Sequence, residues 1–375
     1  ILQRAVPLLA IEQQVHWSIL DVLRMIASNY QLRRVTHLSS ILALLIGVGC
    51  APAPSSAPAH SVSRSHQTMG SLVEITAWTT DEAGATAAFD HAFREFDRLD
   101  AMLTVWRADS DVSRINASAG VTPVAVNAET REVLDLAHQV STWTHGKFDI
   151  TFGALADIWK FDHDQDNSVP TAAQIAQRLP LVDYEQVVVD HAAGTAFIRK
   201  PGMRIHLGGI GKGYAVDRGV ALLKERGLRD FMIQFGGDLY VAGRNGNTPW
   251  TLGIADPRGT HDAFASVDMT DGTFSTSGDY ERTFMKDGVR YHHIIDPDRG
   301  EPARQCRSVT LVSNRAVIAD AVAKGVFILG PTEGMALIER LPDVEGVIVD
   351  AGNRVLVSSG LRGRVRMLKA PTDTP

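Results

Sequence analysis

The sequence predicts an α+β fold with largely antiparallel sheets and packed helices. Strand-like runs outnumber helical ones, and most strands follow one another through short turn-forming segments. Antiparallel strands are joined by such turns, whereas parallel ones need long crossovers. No fixed-period repeat and no Pro/Gly-rich linker divides the body, so its segments belong to one assembly.

Residues 69–78 alternate and carry β-branched side chains, which predicts a strand. Over 82–103, Phe89, Ala92, Phe93, Phe96, Leu99 and Leu103 recur at helical spacing, the mark of an amphipathic helix. A second helix is expected over 128–144, with Asn127 as its cap and Glu129 in its first turn. Strands at 186–190 and 195–199 are joined by His191-Ala-Ala-Gly194, a hairpin signal. A helix at 213–227 ends on Gly227. Strands are then expected at 231–235, 238–243, 250–255, 264–270, 289–295 and 307–313. Helices at 315–328 and 332–340 precede a closing hairpin of 344–350 and 354–358, turning through Ala351-Gly-Asn353. The polar stretch from Asp162 to Asn167 reads as an exposed loop.

The 375 residues are 45% hydrophobic and 21% charged, which excludes a disordered or collagenous chain. A net charge of −6 argues against a protein that coats nucleic acid, because phosphate binding wants a basic face. The two cysteines, Cys50 and Cys306, cannot build a disulfide framework or a cysteine-based zinc site. Cys306 is expected to be buried and inert.

The first fifty residues read as an address. Ile41-Leu-Ala-Leu-Leu-Ile-Gly-Val-Gly49 is too short to cross ~30 Å of hydrocarbon as a helix. Arg33, Arg34 and His37 precede it, and Cys50 and an Ala/Pro-rich stretch follow, as in a secretory signal. The cysteine resembles that of a lipoprotein lipobox, although Gly47 stands where the lipobox usually carries Leu. A core helix ending in cysteine is the alternative. Met25 opens a better signal than Ile1, so residues 1–24 read as an upstream extension. The expected layout is extension and signal at 1–49, lipidated cysteine and tether at 50–66, body at 67–362 and tail at 363–375.

Five segments carry candidate chemistry. Ile205-His-Leu-Gly-Gly-Ile-Gly-Lys-Gly-Tyr-Ala-Val-Asp217 has four glycines within six residues between a strand and a helix. Such a loop lets backbone N–H groups approach a phosphate, and the helix N-terminus favours an anion. It is neither a P-loop nor a dinucleotide fingerprint, and a tight turn with a surface lysine is the plain alternative. Gly236-Gly237-Asp238 offers a carboxylate as ligand or turn former, and the turn is preferred. Phe274-Ser-Thr-Ser-Gly-Asp-Tyr-Glu-Arg282 has hydroxyls enough for phosphate but reads as a loop. Alternation places His292 and His293 on opposite faces of their strand, one of them available for acid/base work. Asp320 lies in an apolar helix, where a carboxylate needs a cation. Mg²⁺ sharing a substrate pyrophosphate and an ion pair with Lys324 both satisfy that need.

In order, these segments resemble the ApbE family of FAD:protein FMN transferases, together with Met69-Gly70, Leu103-Thr-Val-Trp-Arg-Ala-Asp-Ser-Asp-Val-Ser-Arg-Ile-Asn116 and Gly146-Lys-Phe-Asp-Ile-Thr151. The resemblance runs from Met69 to about Gly360. It implies an ApbE-like, T-fold-related body that cleaves FAD at its pyrophosphate. FMN passes to a threonine or serine hydroxyl of an exported or membrane redox protein, and AMP leaves. The runner-up is an FAD-binding lipoprotein or an FAD pyrophosphatase with weak or no transfer.

Carried over by position, Met69, Trp106, Phe148, Asp149, Ile150, Gly208, Tyr214 and Ile295 hold FAD. Trp106 stands where the family often has Tyr. His293 lies by the pyrophosphate and shares the catalytic role with Asp320. The family's Mg²⁺ takes the Gly211 carbonyl, the Asp320 carboxylate and a hydroxyl four residues later. That last position is Lys324, and a protonated lysine has no lone pair for a metal. Either its ammonium replaces the metal's charge, or the site binds FAD and transfers poorly. The lipobox-like start implies a lipoprotein anchored on the periplasmic side of the inner membrane.

Overall fold

Eight strands build the main sheet of the computed structural model, which describes residues 58–161, 164–260 and 262–374. They are β1 (His60–Thr68), β2 (Ser71–Thr79), β3 (Phe231–Phe235), β4 (Asp238–Ala242), β5 (Asp271–Gly278), β6 (Cys306–Ser313), β7 (Val344–Asp350) and β8 (Val355–Val357). Their spatial order is their chain order, and every neighbouring pair is antiparallel.

Period-2 side chains give the sheet two apolar faces. On one face Ile75, Ile233, Phe235, Leu311 and Ile348 pack with helices α1 (Glu82–Leu103), α2 (Gly211–Glu225) and α3 (Ala316–Arg340). On the other, Val241, Phe274, Val347 and Val349 meet a second sheet of Trp250–Ala255, Ala263–Met269 and Val365–Met367. The α1 stripe buries the apolar residues its spacing selected, and Asp81 caps it by accepting the Gly84 N–H at 2.9 Å. Over α3 the two expected helices abut: Gly330 takes φ of 83° and Pro331 restarts the helical path. The closing hairpin turns where expected, with Asn353 at φ of 62°.

Several expectations need correction. Residues 60–66, assigned to the tether, belong to β1, an edge strand whose only buried side chains are Val62 and Thr68. Val62 is the only apolar side chain along this edge strand, so no apolar alternation reveals it. The 363–375 tail is likewise integrated: Val365–Met367 pairs with Ala263–Met269, and Thr372 donates to Asp256. Residues 274–278 lie in β5 and form no loop, because hydroxyl side chains there pair with neighbouring strands, as Thr276 does with Thr310. The strand expected at 289–295 breaks into Val289–His292 and Ile295–Asp296. There the Ile294 N–H goes to His292 Nδ1, 3.3 Å away. Asn127 stands at the N-cap of its helix, Ala128–Trp143, as expected, but makes no side-chain cap bond, because its N–H and side-chain amide both donate to Asp111. Residues 164–170 form no regular element. The signal, the Met25 start, the Cys50 anchor and residues 51–57 of the tether lie outside the described residues.

Candidate active site

A cleft of about 1390 Å³, its open mouth included, lies where the β3–β4 turn and the end of β5 meet the start of α2 and the middle of α3. Each wall follows from local sequence. Gly208 and Gly209 leave room at the α2 entrance: a Cβ at Gly209 would lie 3.2 Å from both Phe148 and the Lys324 stem. Gly237 lets the β3–β4 turn approach β5, and the Thr276 N–H donates to its carbonyl at 2.9 Å. Phe152, Leu155 and Trp159 form an apolar wall, with Trp159 stacked on Phe161 at 5.7 Å.

Another part of the cleft is charged. Lys212 and buried Asp238 form an ion pair at 2.9 Å, and Ser275 donates to the same carboxylate at 2.5 Å. Burial works against the Lys212 ammonium, yet the charges of Asp238 and Asp320 hold its pKa above the usual range. Burial also works against the Asp238 carboxylate; Lys212, Lys324 and Ser275 outweigh it and keep the pKa low. Arg282 and Lys324 line the same space. Four cations, Lys147, Lys212, Arg282 and Lys324, and three carboxylates, Asp149, Asp238 and Glu281, line the cleft, a balance that suits an anionic diphosphate.

His293 lines the cleft beside them. Its Nδ1 lies 3.1 Å from the Glu281 carbonyl, which can only accept, so Nδ1 carries the proton and Nε2 keeps a lone pair. Burial, then the charges of His292, Arg282 and Lys324, lowers its pKa to about 3, so the ring is neutral near pH 7. His292 is spent on structure: Nε2 donates to the Ala303 carbonyl at 2.8 Å and Nδ1 accepts from Ile294.

The structure divides the sequence-derived residues. Phe148, Asp149, Gly208, His293 and Ile295 line the cleft. Asp149 accepts from the Thr151 N–H and hydroxyl and from the Tyr184 N–H. Burial raises its pKa to about 6 despite those three donors.

The others do not line it. Met69 turns the β1–β2 connection at φ of 48°, and its methyl would lie 3.4 Å from a Cβ at Gly211. Trp106 is 58% exposed in a loop whose backbone bonds to Thr104. Ile150 is core, and Tyr214 is buried with its hydroxyl on Glu132 at 2.9 Å. Gly211 opens α2 and is buried. Asp320 lies behind the wall, wholly buried. One of its carboxylate oxygens accepts the Gly213 N–H at 2.9 Å, and the other accepts the Lys324 ammonium. Lys324 also donates to the Asp320 carbonyl at 2.9 Å.

These oxygens do not fit a bound Mg²⁺ in this chain. Each carboxylate oxygen already accepts a protein donor, one of them an ammonium, and the third ligand position is that same ammonium. Among the described residues no cluster of three His, Cys, Asp or Glu side chains is placed to hold a metal. Sequence reasoning missed the site role of Asp238, preferring a turn. The signal was available only as Lys212, a cation far away in sequence. Cys306 is buried, and burial with Asp350 and Asp279 pushes its thiol up to about 12.

Known proteins resemble this chain in sequence and in fold. The ApbE family model matches residues 69–348. The FAD:protein FMN transferase of Treponema pallidum (strain Nichols) is 32% identical over 347 residues, covering 88% of this chain and 95% of that protein. One from Klebsiella pneumoniae (strain 342) is 32% identical over 298 residues, 79% of this chain and 91% of the relative. Among solved structures, the ApbE protein of Thermotoga maritima superposes with a TM-score of 0.75 at 30% identity, over 81% of this chain and 99% of that one. The flavin transferase ApbE of Vibrio cholerae gives 0.73 at 27% identity, over 82% and 100%. By sequence match and fold together, this chain belongs to the ApbE family.

Proposed function

We propose that this chain is an FAD:protein FMN transferase acting on a threonine or serine hydroxyl of an acceptor protein. The observation that carries the reading is a neutral His293, its Nε2 lone pair uncommitted to Glu281, in one cleft with Lys212, Lys324 and Arg282. The acceptor hydroxyl oxygen bonds to the FMN phosphorus while the bond to the bridging oxygen breaks. AMP leaves with that electron pair. The hydroxyl proton passes to His293 Nε2, and the cations offset charge building on the phosphoryl oxygens. The apolar wall of Phe152, Leu155 and Trp159 accepts a flat ring of the dinucleotide.

The test incubates the protein with FAD and an acceptor domain, then reads flavin fluorescence on the denatured acceptor and AMP in solution. Transfer labels the acceptor, with one AMP per label, and His293→Gln lowers the rate by about 10²-fold or more. FMN and AMP without label would make the chain a pyrophosphatase. Binding without cleavage would make it a flavin carrier.

The acceptor is an exported or membrane-bound redox protein, and the enzyme is a lipoprotein held through Cys50 on the periplasmic side of the inner membrane. Support comes from the basic, apolar and Ala/Pro-rich succession around Cys50. Fractionation tests it: Cys50→Ser should move the protein from the membrane to the soluble fraction, and unchanged partitioning would refute the anchor. The Mg²⁺ implied by the resemblance is not supported by the donors around Asp320.

A further inference from the structure

We propose that the Lys324 ammonium is a built-in cation that takes the place of a divalent metal, so that this chain binds its dinucleotide without one. The inference rests on the reading that the cleft takes FAD, and on how Lys324 is held. Its Nζ bridges the carbonyl and carboxylate of Asp320, two oxygens of the kind a hard cation selects. Its stem is fixed beside Gly209, where any Cβ would press against it at 3.2 Å. The side chain is only 17% exposed, yet it lines the cleft.

An ammonium has three donors, and Asp320 takes two, which leaves the third for an anion in the cleft. The charge reaches the rest of the site: Lys324 acts on both Asp238 and His293. Asp320 is thereby a positioning residue for Lys324. A divalent ion entering here would have to displace a buried, hydrogen-bonded ammonium and meet its charge at close range.

The test uses the full chain and two readouts that do not depend on turnover. Mn²⁺ binding is followed by electron paramagnetic resonance with and without FAD, and FAD affinity by flavin fluorescence in chelator and in Mg²⁺. For the wild type we expect no stoichiometric Mn²⁺ and FAD dissociation constants within about twofold of each other. Lys324→Thr should bind FAD about tenfold or more weakly in chelator, recover with Mn²⁺ and hold the ion. Lys324→Met, which cannot ligate, should lose affinity without recovery. One equivalent of Mn²⁺ on FAD-bound wild type, or FAD affinity that collapses in chelator, overturns the built-in cation and leaves the flavin reading standing. Unchanged FAD affinity in both variants also overturns it. No FAD binding by wild type in either condition overturns the flavin reading and this inference with it.

Discussion

His292 and His293 are adjacent, and the chain uses them for opposite ends. His293 keeps a nitrogen for chemistry, whereas His292 spends both on the backbone that shapes the cleft. Burial lowers the His292 pKa from its ordinary 6.5 to about 4. The folded state thus resists a proton that the unfolded chain accepts. Its contribution is complete above pH 6.5, shrinks as pH falls through that window, and levels off below about 4. The loss is about 3 kcal/mol in all. Denaturant unfolding at several pH values should show that His292→Gln reduces the slope in this window, leaving the part that His293 contributes. A variant that keeps the full slope would assign it to other groups. Many family markers are likewise structural at this scale. Asp111 accepts from Asn127 and Thr130, Asn116 bonds both the N–H and carbonyl of Ile205, and Asp279 forms a bidentate pair with Arg258. A polar residue in a marker motif is as easily a fastening as a ligand, and its partners alone tell which.

At the scale of elements, the glycine-rich segment divides its labour. Gly208 and Gly209 line the cleft, as a phosphate-approaching loop requires. Gly213 serves packing: a Cβ there would lie 2.5 Å from the Ala316 carbonyl oxygen and 2.7 Å from the Asp320 Cβ. It sets how closely α2 approaches α3, and so where Asp320 and Lys324 stand. Gly213→Ala should cost about 1–3 kcal/mol by overpacking. Gly211→Ala meets only the flexible Met69 methyl at 3.4 Å, so it should be neutral or gain up to about 1 kcal/mol from helix propensity. Melting temperatures of the two variants separate the roles; equal effects would mean that the interhelical approach is not tight.

For the whole molecule, the body reaches further toward the N-terminus than the hydrophobic pattern suggests. β1 pairs with β2 over nine residues from His60 to Thr68, shielding the next edge of an eight-stranded sheet. Compared with a chain starting at 58, one starting at 69 should expose β2, melt lower and associate. Light scattering and melting of the two truncations check this. A monomeric, equally stable chain starting at 69 would show β1 to be dispensable.

The sequence by itself determined the α+β class, the helical stripe of α1, the paired closing strands and the family, because alternation, 3.6-residue spacing and motif order are local or linear signals. It also marked Lys324 as a departure. Only long-range packing shows that Asp238 joins Lys212, that both Asp320 carboxylate oxygens accept protein donors, and that His293 rather than His292 faces the cleft. It likewise assigned β1 and the tail to the body. These depend on partners far apart in the chain, and a charge's role is fixed by what desolvates and pairs it, which no local pattern records.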